Sequence, residues 1–166
     1  MTAAISFAAP ADVVPYGSQE ELVEAAIRTV HARAHAAAVH VDLFARADPL
    51  SSAWPNGLIA AEAEIETRLA CTAQELPLTL LHRRFEVDRP QQRLLWVLIA
   101  HDLCPIARQL LRDLSTEQSP DVSTDVLRRV VFGRTTARAA WTALAEEGPL
   151  RRYGLIVATS PTDAPE

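Results

Sequence analysis

One stretch limits what this chain can fold into: Leu94-Leu95-Trp96-Val97-Leu98-Ile99-Ala100, seven apolar residues without a break. On its own, such a run fits a buried strand or a buried helix. Its flanks decide for a helix. Asp88 is a favourable N-cap, Pro90 suits a first helical turn, and Gln91, Gln92 and Arg93 are good helix formers. On the other side Pro105 stops the helix near Leu103. A helix that is apolar all round is buried all round. Residues 89–103 are therefore expected as the central helix of a core, with the rest of the chain packed on it.

The preceding sequence reads as a helical hairpin. Ser18-Gln19-Glu20-Glu21 has the form of a capping box, and a long helix should run from it to about residue 47. Leu22, Ala26, Val30, Ala34, Ala37, Val41 and Phe44 fall on one stripe of that helix. The alanines bury little area but let a neighbouring helix approach closely, and such a helix is stable only with a partner. Residues 48–57 (DPLSSAWPNG) read as a loop. A second helix is expected over 58–73, with Leu58, Ala61, Ile65 and Leu69 inward and Glu62, Glu64 and Glu66 on a solvated face.

After residue 75 the texture changes. A short helix is expected over 76–85, and a turn leads to the central helix. Further helices are expected over 105–114, from Ser123 or Thr124 to Val131, and from Thr135 or Thr136 to Glu147. Tyr153-Gly154-Leu155-Ile156-Val157-Ala158 reads as a strand. The expected organisation is a tail or short strand over 1–17, a helical hairpin over 18–74, a compact helical domain over 75–159 and a linker over 160–166. A lone strand needs a partner, from residues 1–17 or from sequence beyond Glu166. The chain is thus expected to be the front part of something longer.

Composition removes several chemistries. There is no lysine, so neither a P-loop nor a lysine-based mechanism is available. The formal charge of −5 argues against a general nucleic-acid binder. No apolar segment reaches the ~18–20 residues of a membrane span, and the N-terminus lacks the basic region of a signal peptide. Two cysteines, Cys71 and Cys104, make no disulfide framework. A cytoplasmic setting follows as the simplest expectation.

No catalytic constellation stands out. His31 and His35 share a helix face, with His40 further along, but the spacing lacks the glutamate or cysteines of a metal motif. His101-Asp102 and Cys104 could form a thiol–imidazole pair, although His101 also suits the end of a helix as a simple dipole partner. No cofactor, metal or small-molecule ligand is expected. The last part of the chain is locally basic through Arg128, Arg129, Arg134, Arg138, Arg151 and Arg152.

Three pieces in order resemble a known pattern: LTLLHRRFEVDRPQQRLLWVLIAHDLC, SPDVSTDVLRRVVFG and EGPLRRYGLIVAT. They resemble the winged-helix-type domain that precedes the ATPase module in a group of bacterial AAA+ ATPases, some linked to contractile injection systems. That family carries an "RRF" turn, a leucine-rich helix ending "ELD", a loop ending "PTV" and a closing "SPLxxxGLIxL". Here "ELD" is replaced by His101-Asp102-Leu103-Cys104, and "PTV" by Pro120-Asp121-Val122-Ser123-Thr124. The resemblance covers residues 76–159 and implies a mainly α fold: a helical hairpin plus a winged-helix-like helical domain with one short C-terminal strand. It also implies a non-catalytic module that recruits or orients a partner or substrate protein, possibly within an AAA+ hexamer. Arg128, Arg129, Arg151 and Arg152 are the expected contact face. A winged helix also raises the alternative of a DNA-binding regulator. Overall acidity, Glu146-Glu147 and the lack of interleaved aromatics argue against it.

Overall fold

The computed structural model describes residues 13–42, 53–116, 121–132 and 142–158. The first helix, α1, spans Gln19–Asp42. Ser18 accepts a hydrogen bond from the Glu21 amide at 3.3 Å, and the Glu21 carboxylate accepts from the Gly17 amide at 3.1 Å. Orphan donors at the helix start are thus satisfied nearly as the capping-box pattern implies, with the carboxylate reaching one residue further back. Leu22, Ala26, Val30, Ala34 and Ala37, all on the expected stripe, are buried. Val41 and Phe44 lie outside the residues whose side chains are described. The alanines do more than admit one neighbour. Helix α1 packs against α2 (Ala53–Cys71), α4 (Arg89–Leu103), α5 (Pro105–Asp113) and the π-helical turn π1 (Arg128–Phe132). The fold therefore has two central helices, α1 and α4, where the sequence pointed to one.

Helix α2 starts at Ala53, inside the segment expected as a loop. Proline is tolerated in a first turn, where its missing N–H would have no helical partner, so Pro55 does not delay the start. Residues 13–17, expected as the end of a tail or short strand, form no regular element but are pinned to α2. The Tyr16 amide donates to Thr72 Oγ1 at 3.0 Å, and the Arg68 guanidinium lies 3.9 Å from the centre of the buried Tyr16 ring.

Helix α3 spans Pro77–Arg84 and α4 follows after a tight turn. The cap of α4 is complete. Asp88 Oδ1 accepts from the Gln91 amide at 2.9 Å, while Gln91 Oε1 accepts from the Asp88 amide at 3.0 Å. Leu94, Val97 and Ala100 are fully buried and Trp96 is 8% exposed. Burying Leu94 contributes about 1.5–3 kcal/mol. At Cys104 the axis turns by 113° into α5, as Pro105 requires.

Ser123 caps α6, Thr124–Leu127, by accepting from the Val126 amide at 3.3 Å, and α6 runs directly into π1. The helix expected from Thr135 or Thr136 lies mostly outside the described residues, which resume at Thr142. The last helix, α7, spans Pro149–Arg152.

The expected strand over 153–158 is not formed, and among the described residues there is no strand. Gly154 explains why. It adopts φ 65°, the left-handed conformation that ends helices. The Leu155 amide donates to Leu150 O at 2.8 Å and the Gly154 amide to Arg151 O at 3.0 Å. This is the Schellman pattern, and it satisfies locally the donors a strand would have offered to a neighbour. The need for a pairing partner disappears with the strand. The fold of the described residues is mainly α.

Candidate interaction surface

Helices α3 and α7 end in the same way. In α3, Glu86 takes the left-handed position at φ 52°, the Val87 amide donates to His82 O at 2.9 Å and the Glu86 amide to Arg83 O at 3.4 Å. In both helices the C-cap residue is aromatic, Phe85 in one and Tyr153 in the other. These two rings meet, tilted by 43°, with centroids 4.8 Å apart. Two helix C-termini thus converge, and each carries arginines in its last turn: Arg83 and Arg84 on α3, Arg151 and Arg152 on α7.

The arginines differ in what they meet. Arg83 is paired with Glu75. Arg152 lies 5.6 Å from the centre of the Tyr153 ring, within cation–π range. Arg84, Arg151 and Arg152 have no carboxylate partner among the described residues. Arg84 and Arg152 are exposed and Arg151 is half-buried. Tyr153 is 48% exposed, and so is Leu80 at 39%, one turn before Arg84 on the same helix face. Glu86, also exposed, is the acid nearest in sequence. Between them the two helix ends present a positive, partly aromatic surface held by fixed backbone caps.

The expected contact face of Arg128, Arg129, Arg151 and Arg152 divides in two. Arg128 and Arg129 both bind Asp125, and Arg129 also donates to Leu114 O at 3.4 Å. Burial pushes the Asp125 carboxyl upward, but the two guanidiniums more than offset this and hold it below its ordinary value. That pair of arginines is already engaged within the fold, sharing one carboxylate. Arg134 and Arg138 lie outside the described residues. What joins Arg151 and Arg152 is instead Arg84, which sequence reasoning did not single out. A signal was present: Arg83-Arg84-Phe85 and Arg151-Arg152-Tyr153 are two copies of one pattern, each followed by the helix-ending residue and an aliphatic one.

The other candidates also move. Glu62 is not on a solvated face. Its carboxylate lies between Arg33 of α1 and Arg93 of α4, with side-chain exposure of only 13%. Arg33 Nε donates to it at 2.9 Å, and Arg33 Nη1 donates to Val131 O at 3.2 Å and Val130 O at 3.4 Å. One buried charge group therefore ties α1, α2, α4 and π1 together. Glu64 and Glu66 are exposed, as expected, and Glu66 pairs with Arg89.

Cys104 faces His31 and not His101. Its Sγ lies 3.6 Å from His31 Nε2, whereas His101 Nδ1 lies 3.1 Å from Asp102 Oδ1. Burial, helped by neighbouring His35, lowers the His31 pKa. Among the described residues no carboxylate orients His31, and no group of His, Cys, Asp and Glu could hold a metal ion. No single described helix is long and apolar enough to cross a membrane.

A family model described as "Winged helix domain, variant" matches residues 14–166. Searches of curated proteins and of solved structures give no match.

Proposed function

The chain belongs to the variant winged helix domain family, and from that premise we propose that it is a non-catalytic protein-interaction module of an AAA+ ATPase, recruiting or orienting a partner or substrate protein. The observation that carries this reading is the junction of α3 and α7. Three arginines without a carboxylate partner among the described residues lie on the two helix ends that meet at an exposed tyrosine, and Arg and Tyr are among the residue types that most often anchor protein interfaces. The link to an ATPase is supported by the ordered pieces in residues 78–104, 119–133 and 147–159, which resemble the domain that precedes AAA+ modules. With no lysine for a P-loop, ATP hydrolysis would belong to that neighbouring module.

The state of Arg128 and Arg129 favours a protein partner over DNA. Both lie on π1, where arginines free to reach phosphates would suit a groove-binding element, yet both are engaged by Asp125 of α6. The test uses an AAA+ ATPase that works with this chain, assayed with and without residues 14–166. Removing them is expected to leave basal ATP hydrolysis in place and abolish delivery of the protein substrate. Unchanged delivery would overturn the reading. A salt-dependent mobility shift on duplex DNA at moderate salt would favour a DNA-binding regulator instead.

A further inference from the structure

We propose that the α3–α7 junction is a docking site for an acidic segment of a partner protein, a stretch of Asp and Glu carrying a central aromatic or leucine anchor. The inference rests on the protein-interaction reading above and names the class of partner.

Three observations point to that occupant. The first is charge. The chain is formally −5, yet Arg84, Arg151 and Arg152 sit on two helix ends joined by the Phe85–Tyr153 contact, and none of them has a carboxylate partner among the described residues. Several other arginines are engaged by acids: Arg33 and Arg93 share Glu62, Arg89 meets Glu66, and Arg128 and Arg129 share Asp125. A guanidinium presents a planar fork that fits a carboxylate in a two-bonded geometry. The second is the apolar component. Tyr153, held against Phe85, and Leu80 on the Arg84 face are both exposed, so a partner anchor would find a ring and an aliphatic side chain beside the charges. The third is rigidity. Each aromatic is the C-cap of a helix closed by a Schellman motif, so little ordering is lost on binding.

The same features weigh against nucleic acid as the occupant. A phosphate backbone is tracked by an extended positive groove, whereas these arginines are confined to two adjoining helix ends. A short acidic peptide needs only the local site.

The experiment is fluorescence anisotropy with the full chain and three labelled probes. One is a short Asp/Glu peptide with a central Phe-Leu pair, one is its Asn/Gln counterpart, and one is a single-stranded oligonucleotide of equal charge. The acidic peptide is expected to bind at least about tenfold more tightly than either other probe. Arg84→Gln with Arg152→Gln should weaken it about tenfold, more at low salt than at high salt. Tyr153→Ala should remove the preference for the anchored peptide over one without Phe-Leu. The melting temperature of each variant is measured alongside. Should the double variant fail to fold, Arg151→Gln alone serves. Equal binding of the acidic and neutral peptides, unchanged affinity in folded variants, or tighter binding of the oligonucleotide would each overturn the site. If deleting residues 14–166 blocks substrate delivery while the peptide does not bind, this inference fails and the broader reading stands. If the peptide binds but delivery is unchanged, the broader reading fails and the site stands.

Discussion

Replacing Glu62 by Gln tests whether the buried charge group holds the two halves of the chain together. The amide keeps the shape of the side chain but removes the charge between Arg33 and Arg93. Breaking one side of a fully buried ion pair costs about 3–5 kcal/mol, because it strands the partner charge. This site is not fully dry: the Arg93 side chain is 26% exposed, against 11% for Arg33 and 13% for Glu62. Solvent screening at Arg93 brings the expected cost to about 2–3 kcal/mol. For a chain of this size that corresponds to a melting temperature lower by roughly 5–10 °C. Glu66→Gln is the control, since its pair with Arg89 is about half exposed on both sides and should be worth under about 1 kcal/mol. The difference should depend on pH. Burial pushes the Glu62 carboxyl up, but Arg33 and Arg93 more than offset this and hold it below its ordinary value of 4.5. A depressed folded pKa gives stability that is complete above the unfolded value and lost as pH falls through the folded one. The gap between wild type and Glu62→Gln should therefore be full at neutral pH and close as the acid limb is reached. Thermal unfolding at a series of pH values measures it. A shift below about 2 °C at pH 7, or a gap that widens in acid, would refute the reasoning.

Other outcomes follow from single residues. Glu86→Gly should raise stability by about 0.5–1 kcal/mol in denaturant unfolding, because the exposed Glu86 carries φ 52° that glycine adopts without strain. Gly154→Ala, at the equivalent position of α7, should lower it by about 1 kcal/mol for the opposite reason. Trp96→Ala should cost about 3–5 kcal/mol, and a near-neutral melting shift would show that α4 does not carry the core. Burial lowers the His82 pKa from 6.5 to about 4. The unfolded chain then takes up its proton first on acidification, so the stability His82 confers is present above pH 6.5 and lost between 6.5 and 4. His82→Gln should flatten that part of the stability–pH curve, and an unchanged slope would show that His82 reaches solvent in the native state.

How much of this could be read from the chain depends on whether the signal was local. Helix α4 was legible because the Asp88 cap, Pro90, the apolar run and Pro105 all act within a few residues of it. The start of α2 was not. Pro55, Asn56 and Gly57 read as a loop by type, but a first turn accepts proline, and what holds α2 is α1 across the hairpin. Glu62 was misplaced for the same reason. A glutamate among glutamates on a helix looks solvated, and only Arg33 and Arg93, 29 and 31 residues away, make it internal. The α1 stripe was correct position by position, yet its alanines concealed how many partners they admit. A small residue shows that something comes close, not how many elements do.

The interaction surface was obscured by a competition between two readings of the same residues. Tyr153, Leu155, Ile156 and Val157 have strand-forming side chains, and propensity alone makes 153–158 a strand. Gly154 between them permits a helix cap, and the cap prevails because it satisfies its donors at once, against Leu150 and Arg151, without waiting for a distant partner. That one choice settles where the arginines go. In a strand, Arg151 and Arg152 would have entered an extended segment and been grouped with Arg128 and Arg129 by proximity in sequence. In a capped helix they precede an aromatic that meets Phe85, and they are grouped with Arg84 by structure. The repeated Arg-Arg-aromatic pattern was therefore the more informative signal than the count of arginines near the C-terminus. It identified two helix ends of one design, and the contact between their rings builds the surface.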